Sequence, residues 1–176
     1  MTINKIAVWN GLADEMLLND LHEEALYYLN RIMGVDPLNH DAVENKAYIL
    51  EILDRYEEAI ECVSSYLKHN PFDAIVWIIN GDLLDVNYND YKGAVDCFNW
   101  ALTIDPKNEE AWTKKAYALK EMGLYAEAAE CFREVMRLMD ASPTISGYTM
   151  WWQEHGRDLY CEYFEEYKDC LKLMGD

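Results

Sequence analysis

The sequence predicts an all-α fold, an array of antiparallel helix pairs, and three observations carry that reading. The first is a period. Pro37, Pro71 and Pro106 are spaced by 34 and 35 residues, and Ala25, Ala59, Ala94 and Ala128 by 34, 35 and 34. The second is two runs of apolar residues at helical spacing within each period, as in Trp112, Ala116 and Leu119, then Ala128, Phe132, Val135 and Met136. The third is punctuation. Each proline ends a helical pattern inside a short polar connection (VDPLN, HNPFD, IDPKN), and Asn39, Asp73 and Asn108 then stand where the next helix wants an N-cap. One unit of such an array cannot bury its apolar face alone, so only the stack makes a core.

In order along the chain, residues 1–140 divide into four helical hairpins at about 6–39, 40–73, 74–108 and 109–140. The first contains WNGLADEM (residues 9 to 16), Ala25 and Pro37. The second contains Val43, Ala47, Ala59 and Pro71, and the third Trp77, Gly81, Ala94, Phe98 and Pro106. The fourth contains Trp112, Ala116, Tyr117, Ala128 and Phe132, with Gly123 breaking the chain between its two helices and Asp140 where a fourth proline would fall. After Met139 the stretch DASPTISGY predicts a loop at 141–148. Beyond it Trp152, Leu159, Tyr163, Tyr167, Leu171 and Met174 recur at helical spacing, which predicts one helix over 149–174 within a C-terminal segment 149–176. That helix caps the last apolar face of the array. The alternative is a degenerate fifth unit, since Trp152 and Gly156 echo Trp77 and Gly81.

These residues resemble the tetratricopeptide repeat, whose pattern of Trp, Leu, Gly and Tyr, then Ala, Phe and Pro, recurs at this period. The departures are local: Val43 replaces a tryptophan, and Lys46, Asn80 and Lys115 stand where leucine is usual. The resemblance implies a right-handed superhelical α-solenoid. It also implies a concave face, formed mainly by the first helix of each pair, that binds an extended peptide or a partner's helix.

The chemistry-bearing residues do not assemble into an active site. Cys62, Cys97 and Cys131 hold one place on successive second helices. Packed helices lie roughly 8 to 10 Å apart, too far for a disulfide or for one zinc ion to be shared. They read as reduced, soft packing residues. Cys161 and Cys170, nine residues apart, face opposite sides of a helix. His22, His40, His69 and His155 are scattered, no nucleophile has a nearby base, and there is no Gly-rich phosphate loop. The segment DVNYNDYKGAVD (85–96) imitates a calcium loop through Asp85, Asn87, Asn89 and Asp96. It has Asp90 where the sharp turn needs glycine and aspartate where the bidentate glutamate belongs, so it reads as an interhelical turn. No enzyme, cofactor or metal is expected.

Charge narrows the partner. The chain has 33 Asp and Glu against 15 Lys and Arg, a net charge of -18, so nucleic acid and anionic membrane surfaces are repelled over most of its surface. The start, MTINKIAVWNGLADE, lacks the pattern of a signal peptide, and runs such as AIVWII are too short to span a bilayer, so a cytoplasmic protein is expected. At about 100° per residue the face opposite the core stripe carries Asn10, Asp14, Asp41, Glu44, Tyr48, Glu51, Ile75, Ile78, Asp82, Asp85 and Tyr117. A family clamp for acidic tails would need a basic face, and this one offers only Asn10, Asn45, Lys114 and Lys120 among many acids. The expected partner is a basic or amphipathic segment of another protein, held in an acidic groove with apolar Ile75 and Ile78 at its middle. Self-association through exposed Trp100 and Trp151 is the alternative.

Overall fold

A computed structural model of the chain describes residues 2–141 and 157–174. Every element among them is helical: α1 (Thr2–Leu18), α2 (His22–Met33), α3 (His40–Ile52), α4 (Tyr56–Leu67), α5 (Ala74–Tyr88), α6 (Tyr91–Ile104), α7 (Glu109–Glu121), α8 (Tyr125–Ala141) and α9 (Arg157–Leu173). The fold class is all-α, with antiparallel helix pairs. The chain forms two compact units, Met1–Leu83 and Leu84–Asp176, and the division falls inside α5. The regular period did not foreshadow that division.

Local chemistry accounts for the boundaries. Asn39 accepts from the Ala42 N–H at 3.1 Å, Asp73 from Val76 at 3.2 Å and Asn108 from Ala111 at 2.8 Å, so the three expected N-caps hold α3, α5 and α7. Asp90 adds a fourth, accepting from Gly93 at 3.0 Å. The turn inside each hairpin has its own recurring device. Asp20, Asp54, Asn89 and Gly123 all adopt positive φ (57°, 56°, 52° and 74°). The residue after each donates its N–H back to the first helix: Leu21 to Met16, Arg55 to Leu50, Asp90 to Leu84 and Leu124 to Leu119, at 2.8 to 3.0 Å. This left-handed closure satisfies carbonyls that the helix end would leave bare. Only Gly123 adopts it without a Cβ penalty.

In the first unit α1 packs on α2, α2 on α3 and α3 on α4. The core is Leu26, Leu29, Ile32, Val43, Ile49, Leu50, Val63 and Val76, all buried, with Trp9, Trp77 and Ile79 partly buried against it. In the second unit α6 packs on α7, α7 on α8 and α8 on α9. There Phe132 is fully buried beneath Tyr117, which meets it edge-on at 5.3 Å, and Tyr163, stacked at 6.4 Å. Trp77 and Trp112 are only half-buried. Their indole N–H groups donate to the Pro71 and Pro106 carbonyls at 2.9 and 3.0 Å, tying each first helix to the proline turn before it.

Cys62, Cys97, Cys131 and Cys170 are buried. Burial raises the pKa of Cys62 and pushes Cys131 up to about 11, so both stay protonated packing groups. Two expectations shift. α8 includes Ala141, which the sequence assigned to the loop, and α1 begins at Thr2, four residues before the first expected hairpin. The rest of the expected loop, the start of the expected helix at 149, and Trp151, Trp152 and Gly156 lie outside the described residues.

Candidate functional site

The strongest convergence of expected site residues is on α3 and the first unit's part of α5. Glu44, Asn45, Tyr48 and Glu51 of α3 face Ile79 and Asp82 of α5 across a cleft of 240 Å³. The spacing of Glu44, Tyr48 and Glu51 at i, i+4 and i+7 puts them on one stripe, about 100° round the helix from the stripe that buries Val43, Ala47 and Leu50. The Tyr48 side chain stands 58% exposed at the cleft wall. Three carboxylates, one amide, one phenol and one aliphatic side chain make an acceptor-rich lining with an apolar contact.

The stem of the site is fixed by a polar knot at the helix starts. The Asp73 carboxylate receives the Tyr66 hydroxyl at 2.8 Å and the Val76 N–H, and His40 Nδ1 lies 2.8 Å away. Nε2 of the same ring lies 3.5 Å from Glu44. The knot therefore connects the beginnings of α3 and α5 to the upper edge of the cleft. Burial works against the ionised Asp73 carboxylate, but bonds from Tyr66, Val76 and His40 outweigh it and hold its pKa below the usual value. Burial, then the bond to Asp73, pushes Tyr66 up to about 12. The sequence signal for this knot was present in His40 and Asp73, each at the start of a repeat, but histidine was weighed only as a ligand.

The remaining expected residues lie elsewhere. Asn10 is half-buried and Asp14 exposed on α1; Asp41 is exposed in the first turn of α3. Ile75 is exposed on α5, away from the cleft lining. Ile78 corrects the expectation: it is 3% exposed, so it belongs to the core, and Ile79 enters the cleft instead. The cause is AIVWII, apolar on every side, which gives no phase.

Asp85 and Tyr117 belong to the second unit. Burial raises the Asp85 pKa, Glu121 adds to the rise and Lys114 opposes it. Tyr117 lines a cleft of 620 Å³ with Glu109, Glu110, Thr113, Lys114 and Tyr163 of α9. Burial, then the nearby Glu166 and Glu162, pushes its pKa up to about 12. Lys120, one turn on, donates to Glu166 of α9 at 2.5 Å.

The calcium-like segment resolves into helix ends. Asp85 and Asn87 sit on α5, Asn89 makes the left-handed turn and Asp90 caps α6. Among the described residues no three His, Cys, Asp or Glu side chains converge as metal ligands, and no helix is long and apolar enough to cross a membrane.

A family model described as tetratricopeptide repeat matches residues 40–71 and 109–138, which are the α3–α4 and α7–α8 pairs. The chain carries tetratricopeptide repeats. The match is consistent with sequence similarity to a peroxisomal targeting signal receptor of Candida glabrata, 30% identical over 115 residues, 65% of this chain and 19% of that protein. Protein FlbA of Caulobacter vibrioides is 31% identical over 96 residues, 54% of this chain and 16% of that protein. The chain thus spans less than a fifth of these two relatives. Among solved structures, MamA from residue 41 onward of Desulfovibrio magneticus superposes with a TM-score of 0.68 over 97% of this chain and 95% of that one, at 17% identity. A second MamA crystal structure gives 0.67 over 96% and 92%, at 15% identity. At such identities the likeness is one of fold alone.

Proposed function

We propose that this chain is a protein-interaction scaffold that binds a basic or amphipathic segment of another protein at the α3–α5 cleft. The observation that carries the reading is the gathering of Glu44, Glu51 and Asp82 around the exposed ring of Tyr48, with Ile79 as the apolar contact. A net charge of -18 steers cationic partners toward such a face and disfavours nucleic acid and anionic membranes. The relative named as a targeting-signal receptor supports a role in holding a segment of another protein. The buried cysteines suit a reducing compartment, so the working location is the cytoplasm, and no catalytic role is part of the reading.

The test is capture of partners by the wild-type chain beside a Glu44→Lys, Glu51→Lys, Asp82→Lys variant, followed by a salt series on the captured partner. The reading expects capture to fail in the variant and affinity to fall steeply with salt. Equal capture by both proteins, or affinity indifferent to salt, would refute it.

One observation favours a second reading. Trp100 of α6 is 54% exposed, a large aromatic surface on a second helix, and it supports self-association. Light scattering across a concentration series separates the two, because a chain that stays monomeric without a partner leaves only the first.

A further inference from the structure

We infer that the surface where α1 meets α2 is a second interaction surface, on which the Arg31 guanidinium takes an Asp or Glu side chain of a partner protein. The argument starts from how the other arginines are held. Arg55, Arg133 and Arg137 each bind a carboxylate three residues away, on Glu58, Glu130 and Glu134. Among the described residues Arg31 binds none. Its neighbours at three and four residues are Tyr28, Tyr27, Gly34 and Val35, so the local acid that serves the others is missing from its sequence. The nearest acids before it on α2 are Glu23 and Glu24, about 10 to 12 Å back along the axis, and Glu23 is bound to Arg55. Beyond α2, Asp36 is engaged in its own turn by the Leu38 N–H and the Asn39 amide. What holds Arg31 is aromatic. Its guanidinium carbon lies 4.6 Å from the centre of the Trp9 ring and 5.6 Å from that of Tyr27, and Nη1 donates to the Tyr27 hydroxyl at 2.9 Å.

This arrangement fixes the plane of the guanidinium and leaves one edge of it open. Arg55 grips Glu58 through Nε and Nη2, at 2.6 and 2.8 Å, and Arg137 grips Glu134 through the same pair, at 2.8 and 2.5 Å. In Arg31 the Tyr27 hydroxyl occupies Nη1, while Nε and Nη2 make no hydrogen bond among the described residues. The ligand that matches this fork is a carboxylate, whose two oxygens accept two parallel N–H groups. Holding the guanidinium against two rings removes much of the ordering cost that a free arginine would carry into binding. The surroundings favour a protein side chain over a small anion. Val8 and Tyr27 are 54% and 55% exposed, which places apolar area beside the charge, and Trp, Tyr and Arg are the residue types that dominate binding energy at interfaces. Lys5, one turn before Trp9, and Lys46, whose Nζ donates to Asn30 at 2.8 Å, add positive charge to either side in a chain of net charge -18. The segment that fits carries an acidic residue beside an apolar one. It is opposite in charge to the segment proposed for the α3–α5 cleft, so the two surfaces recognise different sequences.

The experiment is an NMR titration of the full chain with the blocked peptide Leu-Glu-Leu and with blocked Leu-Gln-Leu, which has the same shape without the charge. The glutamate peptide should shift the Trp9 indole N–H and the signals of Tyr27 and Arg31, and the glutamine peptide should bind at least fivefold more weakly. Arg31→Met keeps an unbranched stem to cover Trp9 and should lose binding of the glutamate peptide at least tenfold. Arg31→Lys keeps the charge without the fork and should bind at least threefold more weakly than wild type, with the fold intact by its amide spectrum. Tyr27→Phe keeps the ring but frees Nη1, and should weaken binding severalfold. Equal binding of the two peptides, shifts that map to another surface, or wild-type binding by Arg31→Lys would overturn the inference. So would wild-type binding by a folded Arg31→Met chain. None of these residues lines the α3–α5 cleft, so failure here removes the second surface and leaves the scaffold reading to its own test.

Discussion

The α3 face of the first unit and the α7 face of the second are built on repeats matched by one family model, in the same register, and they are finished differently. On α3, Tyr48 is exposed and its neighbours are Glu44, Glu51 and Asp82. On α7, the corresponding Tyr117 is pressed edge-on against Phe132, close to Tyr163, and the corresponding Lys120 is bound to Glu166. On the α7 face α9 brings a matching charge, Glu166, to Lys120, and on the α3 face α5 brings another acid, Asp82. The repeat therefore determines where side chains point. How each face is finished depends on the few residues that the helix packed over it, α5 or α9, brings to it.

Substitutions at matched positions can break or sharpen this contrast. The largest effect should come from Phe132→Ala, which empties a fully buried position under two aromatic rings and should cost about 3 to 5 kcal/mol in denaturant unfolding. Tyr117→Ala should cost about 2 to 3 kcal/mol because only part of the ring is buried, whereas Tyr48→Ala should stay within about 0.5 kcal/mol. Equal costs at the two tyrosines would dissolve the contrast.

Alkali should act on the packed tyrosines. Tyr66 and Tyr117 have folded pKa values pushed up to about 12, above the unfolded value of about 10. Their contribution to stability is therefore complete below about pH 10 and disappears as the pH climbs toward about 12. Tyrosinate absorbance should show two late-titrating rings, and Tyr117→Phe should remove one of them.

Turn substitutions should have smaller effects. Gly123→Ala meets nothing within 4 Å, so its cost is the left-handed backbone alone, about 1 to 2 kcal/mol. The converse, Asp54→Gly, should stabilise by up to about 1 kcal/mol, measured as a shift in melting temperature. Lys120→Met removes the partly buried pair with Glu166 and should cost about 0.5 to 1 kcal/mol.

Much of this was legible in the sequence, for identifiable reasons. Proline and alanine periods gave the helix pairs because repeat packing demands the same small residue at each close approach. Asn39, Asp73 and Asn108 gave the helix starts because their capping chemistry is local. The left-handed turns were legible and overlooked: Asp20, Asp54 and Asn89 share the spacing of Gly123, but glycine alone carries an unmistakable signal. Ile78 was misplaced because the all-apolar stretch AIVWII at the start of α5 does not set its phase, so burial there depends on tertiary contacts. The opposed carboxylates of Glu51 and Asp82 were each expected on the groove face. Their convergence on one cleft, and the contrast with Lys120 and Glu166, depends on which helix follows which, information that no single repeat contains.

The central proposal is that the α3–α5 cleft receives a basic segment, whereas on the α7 face Lys120 is paired with Glu166 within the chain. The most direct measurement is an NMR perturbation map with one basic amphipathic peptide, recorded at low and then at high salt. The account predicts shifts at Tyr48, Glu51, Ile79 and Asp82 that fade as salt rises, with Thr113 and Tyr117 unmoved. Shifts centred on Thr113 and Tyr117, or shifts at the first cleft that persist unchanged in high salt, would contradict it.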